Sequence, residues 1–196
     1  KTLFHYQLWC PRFRRFGDRY DRRRGHRFGG PKSFFVSACR STLGVGIINA
    51  RSLNQKHASI HDSISECSLD ILAVTESWHS DGQDLTLHRA VPKGYSCLAV
   101  SRAESDVSFE GKTKGENVRG GGVAIIYRDC WRASKINIQD KLTSFEFLCT
   151  RVNVKPTSII VCTVYRSQPI TDKFFDECLR LLEQLVTHRC PLSLLG

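Results

Sequence analysis

The chain has 196 residues, 41% of them hydrophobic and 24% charged, with a formal net charge of +10 and no methionine. That is enough apolar material for one α/β domain and too much for a chain disordered throughout. No apolar run reaches the roughly 18 residues that span a bilayer, and arginines follow the first ten residues at once, so neither a membrane span nor a secretory signal is expected.

The charge is concentrated at the front. Residues 1–40 hold eleven Lys and Arg against Asp18 and Asp21, or +9 of the +10, so the remainder is nearly neutral. Within this leader "PRFRRFGDRYDRRRGHRFGG" interleaves Arg with Phe, Tyr and Gly and has no apolar period. It reads as a disordered Arg-rich leader over 1–43, with sequence-blind nucleic-acid binding as the functional alternative.

Regular patterning starts at about Gly44. "GVGIINA" (44–50) reads as a buried strand, and Leu53, His57, Ile60, Ile64 and Cys67 recur at steps of four and three on one helical face. "DILAVTE" (70–76) and "YSCLAVSR" (95–102) are further strands, separated by a loop region holding His79, which reads as exposed. "EGKTKGENVRGGG" (110–122) is a Gly- and Lys-rich loop, and its "GKT" lacks the glycine and the preceding strand of a phosphate loop. "RGGG" reads instead as a tight lead-in to the strand "VAIIYR" (123–128).

Two strands follow at 144–154 and 158–166, the first alternating through Phe145, Phe147 and Cys149. Thr171 is placed to cap a helix whose Phe174, Cys178, Leu181 and Leu185 form an apolar stripe, and "LSLL" (192–195) closes as a strand. Strands alternating with two helices around a central run of strands predict an α/β sheet sandwich. The nine cysteines are an odd, scattered set without a CxxC pair, which favours buried reduced thiols over zinc or a disulfide framework.

Three polar residues stand where apolar strands end and side chains can converge: Asn49, Glu76 and the pair Tyr165–Arg166. Each alone is ordinary, as a turn former, a solvated carboxylate, or a core phenol with a rim hydroxyl. Together with their surroundings they carry more. "INARSLNQK", "DILAVTESW", "RGGGVAIIYR", "TSFEFL", "VYRSQP" and "FFDECLRLLEQL…LSLLG", in that order, resemble the endonuclease/exonuclease/phosphatase superfamily. More narrowly they are similar to the apurinic-like endonuclease domain of non-LTR, LINE-type retrotransposons. The likeness covers residues 45–196 and none of the leader.

This resemblance implies a four-layer, DNase I-like α/β sandwich over 44–196 and a divalent-cation-dependent phosphodiesterase that nicks DNA. The implied ion is Mg2+, with Mn2+ as the other candidate. By the same resemblance Glu76 is the metal ligand, and Asn49 and Tyr165 are catalytic residues that orient and contact the scissile phosphate. Arg51 and Arg166, their neighbours, become candidate phosphate-binding groups, or else surface arginines. The family's Asp-x-Asn step and later Asp and His residues are expected beyond Gly196, so the catalytic set is incomplete within 1–196 and the domain is expected to be truncated. Implied partners are DNA, a downstream reverse transcriptase domain in the parent polyprotein, and RNA as a second candidate for the leader. No membrane is expected, and residence is nuclear or cytoplasmic. The rival from another class is a non-enzymatic nucleic-acid binder acting through residues 1–40; a third reading keeps the fold but takes a phospholipid or inositol phosphate.

Overall fold

A computed structural model describes residues 5–9, 42–107, 120–167 and 169–196. Most of the Arg-rich leader and the "GKT" loop therefore lie outside the described residues. The elements in chain order are β1 (His5–Trp9), β2 (Thr42–Asn49), α1 (His57–Glu66), β3 (Ile71–Thr75), α2 (Leu85–Ala90) and β4 (Tyr95–Val100). They continue with β5 (Val123–Arg128), β6 (Arg132–Lys135), β7 (Glu146–Val154), β8 (Thr157–Tyr165), α3 (Asp172–Val186) and β9 (Leu192–Leu195).

The strands form two mixed sheets, one ordered β1-β2-β3-β5-β4 and the other β6-β7-β8-β9. β2 and β3 are parallel, as are β8 and β9, whereas β3–β5, β4–β5, β6–β7 and β7–β8 are antiparallel. The short β3, "ILAVT", apolar up to its terminal Thr75, is buried along its full length because both of its faces are covered.

Three apolar layers hold the elements together. Between the sheets, Val45, Ile71, Ala73, Val123 and Ile125 meet Leu148, Val152, Ile159, Val161 and Leu195. Outside the first sheet, Ile60 and Ile64 of α1 and Leu87 of α2 cover Ile48, Leu72, Val74 and Ile126. Outside the second, Leu181 and Leu185 of α3 cover Phe145, Cys149, Ile160 and Cys162. The result is helix, sheet, sheet, helix: the four-layer sandwich that the motifs implied.

Three elements have no counterpart in the sequence-based prediction, and each is short. β1 spans five residues, and α2 spans six, opened by an Asp84 cap rather than an apolar period. β6, "RASK", is a polar strand at the sheet edge. Thr171 caps α3 as expected, accepting from the Phe174 amide at 3.4 Å.

The sheets have two unlike ends. At one, the buried Asp70 carboxylate accepts from the Gly44 amide at 2.8 Å and pairs with Arg128, whose guanidinium lies 5.2 Å from the Tyr95 ring centroid. This ties β2, β3 and β5 together where β3 begins. At the other end β2, β3 and β8 run out at Asn49, Thr75 and Tyr165, and β7 begins at Glu146.

Candidate active site at the sheet edge

Asn49 and Thr75 are register partners in parallel strands, so the residues that follow them leave the sheet side by side. Asn49 donates its Nδ2 to Glu76 Oε1 at 2.8 Å and accepts the Arg51 amide on its own Oδ1 at 3.2 Å. The two departing segments are then joined by backbone: Ala50 to Thr75, Ser52 to Glu76 and Leu53 to Ser77. Arg51, Ser52, Glu76 and Trp78 all have positive φ (47°, 86°, 52° and 57°) without being glycine. Such conformations cost of order 1–3 kcal/mol each and persist only where surrounding bonds over-determine them. Here they sit beside one carboxylate.

Four groups act on that carboxylate. Burial alone pushes the Glu76 carboxyl up, but the Asn49 amide, the Tyr165 hydroxyl, the Arg51 charge and the Trp78 indole N–H outweigh it and hold it below the usual range. Tyr165 reaches it from the other sheet. Its own hydroxyl is pushed up to about 12 by burial and by donating to Glu76, so the phenol is protonated at neutral pH. The structure therefore brings Asn49, Glu76 and Tyr165 together in one hydrogen-bonded group, with the exposed Arg51 at its side. Arg166 has its guanidinium 4.9 Å from the Phe174 ring centroid on α3.

His79 is not the exposed loop histidine expected. It is 5% exposed, with Nδ1 2.6 Å from Ser77 Oγ, because the side-chain-free Gly122 leaves room for the ring. Burial lowers its pKa against the raising effect of Asp84, Glu104 and Asp81, which favours the neutral imidazole. Two further residues at the edge escaped the sequence reading. Glu146 is 2% exposed, pairs with Arg102 Nε and Nη2 at 2.8 Å each, and accepts the Gly122 amide. Trp78, 46% exposed, places its indole N–H on Glu76.

The donor chemistry at this edge suits a hard cation. Among the described residues no three His, Cys, Asp or Glu side chains cluster as a metal cage. Mg2+ does not need one, since it keeps several waters and binds through one or two carboxylates plus substrate phosphate. A single carboxylate held ionised by an amide N–H and a phenol matches that pattern.

The sequence pattern of the Endonuclease/Exonuclease/phosphatase family matches residues 43–194. No curated protein sequence matches the chain. Among solved structures, the chain is similar to a mannosyl-6-phosphatase of Bacteroides thetaiotaomicron, Bt3783 (12% identity, TM-score 0.54, 78% of this chain and 63% of that one). An endonuclease/exonuclease/phosphatase family protein from the same organism gives 13% identity, a TM-score of 0.53 and coverage of 78% and 60%. The endonuclease domain of TRAS1, a telomere-specific non-LTR retrotransposon, gives 12% identity, a TM-score of 0.48 and coverage of 72% and 54%. At such identities the first two likenesses establish a shared fold, and the chain spans less than two thirds of each of these structures.

Proposed function

Because the chain belongs to the Endonuclease/Exonuclease/phosphatase family, we propose that its sheet edge is the cation- and phosphate-binding part of a phosphodiesterase that nicks DNA. The observation that carries this reading is the convergence of Asn49, Glu76 and Tyr165 from three strand ends in two sheets. Glu76 would hold the divalent ion, Mg2+ or Mn2+, which when bound neutralises charge on phosphate oxygens. Asn49 fixes one Glu76 oxygen and adds no negative charge. Tyr165, kept protonated, is a neutral donor to a phosphate oxygen, and exposed Arg51 draws the phosphate toward the edge.

The narrower reading, a LINE-type element with DNA as substrate and a reverse transcriptase downstream, rests on the ordered segments "INARSLNQK", "DILAVTESW" and "RGGGVAIIYR". It places the protein in the nucleus or cytoplasm and leaves the Arg-rich leader to bind nucleic acid, DNA or RNA, through phosphates.

The test is Mn2+ binding by electron paramagnetic resonance, with and without a short DNA duplex, in the parent chain and in Glu76→Ala. The expected result is one site whose affinity rises when the duplex is added and which is lost in Glu76→Ala. Any nicking of supercoiled plasmid in MgCl2 should vanish with the same substitution. Mn2+ binding unchanged by Glu76→Ala would refute the assignment. Binding of duplex that ignores the cation and disappears on deleting residues 1–40 would favour the leader instead.

A further inference from the structure

Glu146 opens β7 directly opposite Tyr165, its register partner on β8. Its neighbours Phe145 and Phe147 face α3, so Glu146 lies on the face turned toward the other sheet, where it is nearly inaccessible. An ionised carboxylate there is expensive unless fully paired. Arg102 supplies the counter-charge on Oε1, and the Gly122 amide occupies Oε2. Burial still pushes the Glu146 carboxyl up, against the Gly122 amide and Arg102.

The bond to Gly122 does not end there. Gly122 accepts the Ser77 amide at 3.2 Å, and Gly121 accepts the Trp78 amide at 2.9 Å. These two amides belong to the residues that immediately follow Glu76. The path from sheet to sheet is thus Glu146 carboxylate, Gly121–Gly122 backbone, then the 76–78 turn. Glycine is required along it. Both residues have positive φ (69° and 83°). A Cβ on Gly121 would lie 2.1 Å from Arg102 Nε and 2.3 Å from Glu146 Oε1, and one on Gly122 would lie 2.7 Å from Ser77 Oγ.

We propose that Glu146 is a positioning residue for the candidate active site: by pinning Gly121–Gly122 it fixes the turn that carries Glu76, on one sheet, against Tyr165 on the other. Apolar contacts between the sheets are non-directional and tolerate small slides, whereas this chain of hydrogen bonds does not. Arg102 lets Glu146 do so without adding net negative charge beside Glu76. The inference rests on reading Glu76 as the cation-holding group, and its test separates the two.

The test uses 15N-labelled protein and amide hydrogen exchange on the parent, Glu146→Gln and Glu146→Asp. Gln keeps the shape and loses the charge. Asp keeps the charge and falls one carbon short of Gly122, so it serves if Gln does not fold. In either variant the Ser77 and Trp78 amides should exchange about tenfold faster and the Trp78 indole resonance should shift. The amides of Ile160 and Val161, in the middle of β8, should stay within about twofold. Mn2+ affinity should fall about tenfold in parallel. Unchanged exchange at Ser77 and Trp78 would overturn the proposal, as would equal acceleration across both sheets, which would mark Glu146 as a general stabiliser. If the parent and Glu76→Ala bind Mn2+ alike, the cation reading fails, and the exchange data alone decide the role of Glu146.

Discussion

Asn49→Asp is the sharpest probe of how the edge is wired. It replaces the amide that donates to Glu76 Oε1 at 2.8 Å by a carboxylate of the same shape, while the oxygen that accepts the Arg51 amide is retained. One hydrogen bond to a charged group is lost, and two negative charges are left in contact. The new carboxylate is exposed and can rotate away, so a separation of about 5 Å and an effective dielectric of about 20–80 are appropriate, giving a repulsion of about 1–3 kcal/mol. Water replaces much of the lost hydrogen bond at an exposed position, so a total of about 2–3 kcal/mol is expected, or roughly 4–12 °C in Tm for a chain of this size. The sign with pH follows from the groups involved. In the parent, Glu76 is held below the usual carboxylate range, against burial, by its donors. Removing one donor and adding a like charge raises it, so the penalty is present at neutral pH and disappears as acid neutralises one of the pair. Saturating Mg2+ or Mn2+ should narrow the gap: both proteins gain RT ln(1 + [M]/Kd), and the variant gains more because a cation between two carboxylates relieves their repulsion and is held more tightly. Thermal melts at pH 4 and 7, with and without MgCl2, supply the measurement. Equal melting of parent and variant at both pH values would show that the Asn49–Glu76 contact does not set the state of Glu76. A penalty at pH 7 that MgCl2 leaves untouched would show that no cation is shared between the two carboxylates.

Two further outcomes test the scaffold that carries the edge. Glu177 of α3 accepts the Thr143 and Ser144 amides at 2.8 Å each and both hydroxyls, at 3.2 and 2.6 Å, anchoring the turn that leads into β7. Glu177→Ala strands those donors and should cost about 3 kcal/mol by urea unfolding at pH 7. Burial raises the Glu177 carboxyl but the Ser144 and Thr143 donors lower it further, so the parent's advantage over Glu177→Gln should shrink as pH falls through that lowered value. Asp84 caps α2 from the Thr86 amide and also binds the Ser80 amide, and these bonds outweigh burial to bring its pKa down to about 2. Asp84→Ala should therefore cost about 1 kcal/mol above the usual aspartate range, with the difference fading as pH approaches 2. A pH-independent difference would mean that the carboxylate charge has no part in the cap.

The strand ends were legible in the sequence because an apolar run announces where a strand stops, and the first polar residue past it must leave the sheet. That logic located Asn49, Glu76 and Tyr165, and the ordered motifs brought them to one edge. It could not locate Glu146. Alternation through Phe145, Phe147 and Cys149 fixes the face turned to α3, and a glutamate on the other face reads as solvated. It is buried because β7 is covered on both faces, by α3 and by the first sheet, a fact of tertiary packing that no local pattern encodes. His79 failed for a related reason: its burial depends on the missing side chain at Gly122, more than forty residues away. Yet the three glycines before β5 were a usable signal. A tight lead-in needs one residue of positive φ, whereas here Gly120, Gly121 and Gly122 all adopt it (100°, 69° and 83°). Three in succession imply that something approaches the backbone too closely for a Cβ, and the two groups that do so at Gly121 are the side chains of Arg102 and Glu146. The glycines and the glutamate are therefore one feature read at two places in the chain. It links the sheet that carries Glu76 to the sheet that carries Tyr165, which the strand-end residues alone do not fix.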